Sequence, residues 1–137
     1  MNMIDMSEPP GRAALVTGWV LSGLLIAFLI LDAAIKLVPL QVVIDTSRDL
    51  GLPADATSAR ILGVLTLACT MLYAIPRTSI LGAILLTGYL GGAMATHFRI
   101  GSPLLSHLLF GLYLGLFAWG GLYLRYPWLR RLIPLRA

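Results

Sequence analysis

Four long apolar runs dominate the chain, at residues 15–38, 59–75, 79–96 and 104–124. An α-helix rises about 1.5 Å per residue, so about 20 residues cross the ~30 Å hydrocarbon layer of a bilayer. The second run is the shortest, but Arg60 at its start can lay its stem along the apolar layer and hold its charge at the headgroups. Within hydrocarbon, every backbone N–H and C=O must be satisfied by the protein itself, which permits only helices or closed barrels. Runs this long and uniform exclude a barrel. The sequence therefore predicts an all-α membrane protein: a four-transmembrane-helix antiparallel bundle, a single domain over residues 1–137, with tails at 1–14 and 125–137.

Composition agrees with lipid as the solvent. Of the 137 residues, 58% are hydrophobic and 12% are charged, against about 45–50% and about 25% in soluble domains. A soluble fold this short leaves too much of its area exposed to hide that apolar surface. The net charge of +4 comes from ten Lys and Arg against six Asp and Glu. The basic residues sit at the ends of the apolar runs, with no aromatic-and-basic stripe, which argues for lipid headgroups and against nucleic acid. Cys69 is the one cysteine, so neither an internal disulfide nor a CxxC redox pair can form. A small buried hydrophobe is its expected role. The first run is too long for a cleavable signal peptide, and Asp5 and Glu8 dilute its basic end. It reads as a signal-anchor span.

With four spans, both termini share a side with the turn at 76–78. That side carries Arg12, Arg77, Arg125, Arg130, Arg131 and Arg136, whereas the other holds Arg48, Arg60 and Arg99, with Lys36 just inside the membrane. The excess of positive charge places both termini in the cytoplasm. Trp19, Tyr123, Tyr126 and Trp128 suit interfacial belts. The connection at 39–58 is the long one, and its stretch at 42–44 can lie on the surface or tuck into the bundle. The turns at 76–78 and 98–103 are tight hairpins. Gly88, Gly91, Gly92, Gly111 and Gly115, together with Ala95, stand at four-residue spacings that let helix backbones approach closely. They are expected to be packing positions, with homo-oligomerisation or room for a ligand as the alternatives.

Ionisable groups gather at the end away from the termini. Asp32 lies about two turns before the end of the first span, with Lys36 four residues on, on the same face. His97 and Arg99 close the third span, His107 falls in the first turn of the fourth, and Arg60 begins the second. Charge at the centre of a span costs about 2.5–3.5 kcal/mol on insertion scales, and less near the interface. An acid four residues before a base is the favourable helical pairing. Two readings follow for this pair: an ion pair that anchors the first helix, or an Asp32 that faces a shared pocket and orients a histidine or binds a polar ligand group. His97 and His107 can solvate a turn, or handle protons and bind a ligand. Two histidines ten residues apart match no standard metal spacing, and Lys36 and Arg99 would oppose a cation, so no metal is expected. Tyr89, on the helix that carries His97, is a candidate hydroxyl donor. No phosphate loop, GxSxG or HExxH is present.

The segment IPRTSILGAILLTGYLGGAMATHFRIGSPLLSH, residues 75–107, resembles the signature region of the DoxX-like family of small bacterial membrane proteins. LDAAIKL at 31–37 and WGGLYLRYPWLRRLIP at 119–134 fit as well. The resemblance runs from about Gly18 onward and implies a four-helix membrane bundle. Founding members resemble subunits of a thiosulfate:quinone oxidoreductase, and other relatives associate with redox enzymes of the cell envelope. The matching positions are Asp32, Lys36, Gly91, Gly92, Ala95, His97 and Arg99. The expectation is a bilayer protein with a polar pocket in the outer leaflet for a quinone or another small lipophile, serving as the membrane subunit of a redox partner. There a histidine would exchange a proton with the ligand, Asp32 would orient it, and Arg99 or Lys36 would stabilise the anion. The alternatives are a non-enzymatic scaffold or lipid-binding protein, and a stand-alone acid–base enzyme of the isomerase kind.

Overall fold

The computed structural model describes Ser7 and residues 9–133; Asp5, Glu8 and Arg136 of the charge reading lie outside the described residues. Among the described residues, four helices are long and apolar enough to cross a membrane: α1 (Arg12–Leu37), α3 (Ala56–Ala74), α4 (Ser79–Arg99) and the stretch Leu104–Arg125. The last is composite, a π-helical turn at Leu104–Leu108 followed by α5 (Phe110–Arg125). Between α1 and α3 lies a short helix, α2 (Gln41–Asp49), and α6 (Leu129–Leu132) follows α5. The spanning helices form a ring in the order α1, α3, α4, α5, each packed on two neighbours. Val16, Leu24, Leu31, Ile84 and Leu116 face outward, 54–63% exposed, as a lipid-facing belt requires.

The helix limits have local causes. Asp55 caps α3: its carboxylate accepts from the Ser58 backbone N–H at 2.8 Å and from the Ser58 hydroxyl at 2.9 Å. These two bonds hold the Asp55 carboxyl below its usual range. Pro76 follows α3 closely, and the Thr78 hydroxyl bonds back to the Leu72 carbonyl at 2.7 Å, which ties the tight turn into α4. The turn after α4 uses Gly101 at φ +71°, a conformation that favours glycine.

In lipid, a leucine gains little by leaving the tails for another leucine. Association depends on close backbone approach and on interhelical hydrogen bonds. Both are concentrated in the half of the bundle near the α3–α4 turn. Leu25, Tyr73, Leu86, Ala118 and Leu122 are packed there in a core that excludes solvent. A Cβ at Gly82 would stand 2.2 Å from the Tyr73 backbone nitrogen, and one at Gly121 would stand 2.2 Å from the Ser22 Oγ. Across this contact Tyr73 donates to the Ala118 carbonyl at 2.8 Å. Its own oxygen then accepts from Ser22, also at 2.8 Å. Arg125, only 4% exposed, donates to Ser22 at 3.1 Å and lays its guanidinium 3.9 Å from the centre of the Trp19 ring. The network joins α1, α3 and α5, and the π-face offsets part of the cost of burying the charge.

One sequence expectation is corrected here. Of the five proposed packing glycines, Gly111 alone is close to a neighbour, with Met94 Cγ 2.7 Å from where its Cβ would be. A Cβ at Gly88, Gly91, Gly92 or Gly115 would meet nothing within 4 Å. Their faces point to the cavity or the surface, and the tight contacts fall to Gly18, Gly63, Gly82 and Gly121 instead. Beyond α5, residues 126–133 lie against the bundle. Tyr126, Trp128 and Leu129 pack against the core, and Arg130 bonds the Tyr123 carbonyl at 3.0 Å.

Candidate functional site

At the opposite end, where α1 finishes and α4 reaches Arg99, the ring surrounds a half-open cavity of about 590 Å³. Its wall is mostly apolar, from residues such as Phe28, Leu29, Leu90, Met94 and Leu114. Gly88 and Gly92 expose bare α4 backbone to it. This explains why those glycines have open space: they hold volume in the bundle.

Asp32, Lys36, Tyr89, His97 and His107 all line this cavity. Lys36 pairs with Asp32 one turn back on α1, as the i, i+4 spacing predicts. The same ammonium donates across to the Tyr89 hydroxyl on α4 at 3.0 Å. Their side chains are largely withdrawn from solvent, 16% exposed for Lys36 and 26% for Asp32. Because the Tyr89 oxygen accepts from Lys36, its own proton has no acceptor among the described residues and remains available to a ligand oxygen. Lys36 retains a third N–H for the same purpose. The carboxylate of Asp32 balances the ammonium, so the cluster presents donors without an isolated charge.

His97 and His107 form the polar rim, with ring centroids 5.8 Å apart at 61°. The Nδ1 of His97 is 3.0 Å from the Ser102 Oγ, and that of His107 is 2.7 Å from the Ser106 Oγ. Each imidazole therefore keeps its Nε2 without a hydrogen-bond partner among the described residues. His107 sits in the π-helical turn, where Leu108 and Leu109 bond back five residues to Pro103 and Leu104. Such turns are frequent at functional sites.

Arg99 is placed elsewhere. It does not line the cavity, and its Nη2 donates to the Leu50 carbonyl at 2.6 Å. Arg60 is exposed and likewise outside the lining. The roof of the cavity comes from a segment that sequence reasoning treated as a connection. Val43 and Ser47 of α2 are buried, and both line the cavity with Leu50 and Leu52. The signal for this was present in the i, i+4 spacing of Val43 and Ser47, with charges on the remaining faces of α2. Phe28 and Phe110 were not singled out either. They meet edge to face, 5.3 Å between centroids, where α1 and α5 adjoin at the cavity wall.

Comparison with curated proteins and with solved structures returned no match. The family comparison is positive. The model of the DoxX-like family matches residues 20–121, a stretch that begins within α1, ends within α5, and takes in every polar residue of the cavity. With most of its length matched, this four-helix membrane chain belongs to the DoxX-like family.

Proposed function

We propose that the protein binds a small lipophile bearing a carbonyl-type acceptor, a quinone by preference, as the membrane subunit of an envelope redox system. The observation that carries this reading is the Asp32–Lys36–Tyr89 cluster in the wall of an apolar cavity, with a phenol proton left for the ligand. Ligand sites are typically of this kind, mostly apolar with a few convergent polar groups. The ligand's oxygen would accept from Tyr89 and Lys36, while its apolar body lies on the bare α4 backbone at Gly88 and Gly92. His97 and His107, at the polar rim, would carry protons between the ligand and water. Electrons would come from a partner protein, because Cys69 has no second thiol with which to cycle. In this reading the protein sits in the inner membrane with both termini cytoplasmic, and the cavity opens toward the outer leaflet.

The test is binding of a short-chain ubiquinone to the purified protein in nanodiscs. Tyr89→Phe is expected to weaken binding about tenfold, the effect of losing one hydrogen bond to the ligand, and His97→Ala, which takes a polar group from the rim, is expected to weaken it less. Absence of binding, or binding indifferent to both changes, would remove the proposal.

A further inference from the structure

The role expected of Arg99, stabilising an anionic ligand, does not suit its position outside the cavity, and its actual contact suggests a different one. We propose that α2 is a hinged lid over the cavity and that Arg99 is its latch, a positioning residue that governs ligand entry. The proposal rests on the cavity being the ligand site.

The side-chain hydrogen bonds of α2 are internal: Gln41 to Asp45 at 3.0 Å, Arg48 to Asp45 at 3.0 Å, and Thr46 to the Val42 carbonyl at 2.7 Å. Among the described residues, the Arg99 bond to Leu50 is the one hydrogen bond that joins residues 41–52 to a spanning helix. A nine-residue helix is too short to persist on its own strength. Its placement therefore depends on the apolar seat of Val43 and on this bond.

The bond is made where it is most favourable. Leu50 is the C-cap of α2, and the last carbonyls of a helix lack intrahelical partners and carry the negative end of its dipole. A guanidinium there satisfies an open acceptor and meets complementary charge. Gly51, next in the chain, takes φ +71°, and a Cβ there would lie 2.9 Å from Arg99 Nη2. Glycine at this position thus serves both the backbone turn and the seat of the latch. At the other end the lid is attached through the turn at residues 38–40, where Leu40 N–H bonds the Ile35 carbonyl at 3.1 Å and forms an elbow next to Pro39. Breaking the Arg99 bond would free the Leu50 end to swing about that elbow and uncover the cavity.

Lid opening can be read without any ligand. In a Cys69→Ala background, Ser47→Cys puts a thiol on the inner face of the lid, where Ser47 is 7% exposed. The rate of its reaction with a water-soluble maleimide is measured in nanodiscs, with and without Arg99→Gln. Loss of the latch is expected to raise the rate about threefold to tenfold, the equilibrium equivalent of one exposed hydrogen bond. Arg99→Lys should restore much of the protection. A thiol introduced by Thr70→Cys, at a fully buried position of α3, should stay unreactive throughout. Equal rates with and without Arg99→Gln would overturn the latch, as would a parallel rise at Thr70→Cys, which would mean general loosening. Short-chain ubiquinone should slow labelling at Ser47→Cys. If labelling responds to Arg99 but not to the quinone, the latch stands and the quinone reading fails.

Discussion

Lys36 and Tyr89 join helices that face each other across the ring: the ammonium on α1 donates to the phenol on α4 at 3.0 Å. The neighbouring pairs of the ring are in side-to-side contact, so this bond crosses the cavity rather than a helix interface. It sets the separation of α1 and α4 at the end of the molecule where packing is thinnest.

Removing the acid from this cluster should be costly. Breaking a fully buried ion pair costs about 3–5 kcal/mol, and for this partly exposed pair Asp32→Asn is expected to cost about 2 kcal/mol. The double change Asp32→Leu with Lys36→Met should recover most of that loss, because no charge is then left unpaired. Thermal unfolding in detergent, compared across the three proteins, checks both statements. A double variant no better than the single one would show that the pair does more than balance charge.

The glycines should divide into two classes. Gly82→Ala forces a methyl onto the Tyr73 backbone, which cannot move aside, and is expected to cost about 3 kcal/mol, at the upper end of overpacking effects. Gly88→Ala meets open space, and the gain in helix propensity should raise stability by about 0.5–1 kcal/mol. Because Gly88 lines the cavity, the same change should weaken quinone binding. Melting temperatures and binding should thus move in opposite directions for this one substitution.

Tyr73→Phe removes a hydroxyl that donates to the Ala118 carbonyl and accepts from Ser22. The Ala118 carbonyl loses a donor and the Ser22 hydroxyl an acceptor, and the expected cost is about 1–3 kcal/mol. Arg125 would still hold Ser22, so Arg125→Met should lower stability of the Tyr73→Phe protein further. A double-mutant cycle on unfolding measures the coupling, which should be well away from zero for residues of one network.

Acid should loosen the start of α3. The folded pKa of Asp55 lies below its ordinary value, about 3.9, because its carboxylate accepts from the Ser58 backbone and hydroxyl. Its contribution is therefore complete above the ordinary aspartate pKa and is lost as pH falls through the lowered folded value. Asp55→Asn keeps a capping oxygen and should remove this part of the pH dependence. Asp55→Ala should be destabilised at neutral pH and change less on acidification. Melting temperature between pH 7 and pH 3 distinguishes the three.

The spanning helices were legible because apolar length is a one-dimensional property. Residues 79–96 and α4 (Ser79–Arg99) differ only at the polar end, where a helix can outrun its hydrophobic stretch. The Asp32–Lys36 pair was legible for a similar reason, since both partners lie on one helix. Its bond to Tyr89 was not, because it depends on how two distant helices are rotated. Glycine spacing proved ambiguous for a physical reason: bare backbone invites any close neighbour, and at Gly88 and Gly92 that neighbour is a cavity. Arg125 illustrates a deeper limit. In sequence it is one more basic residue at a span end, and nothing in the pattern separates a snorkelling arginine from one enclosed by Trp19 and Ser22. Arg99 raised the same difficulty in reverse, since its proximity to two histidines suggested a shared pocket although its side chain turns to α2.

The π-helical turn ahead of α5 has a consequence for the numbering of the whole fourth span. Each residue of an α-helix turns the chain by about 100°, so five-residue bonding at 104–108 offsets everything before it from everything after it. His107, within the turn, and Gly111, beyond it, both line the cavity, and Gly111 also presents its bare side to Met94. Shortening this stretch by a single residue would restore a regular helix and turn whatever precedes it by about 100° relative to α5. The rim and the packing surface of the fourth span are in effect two separately phased segments, and a change of length between them alters the cavity without changing any side chain in it.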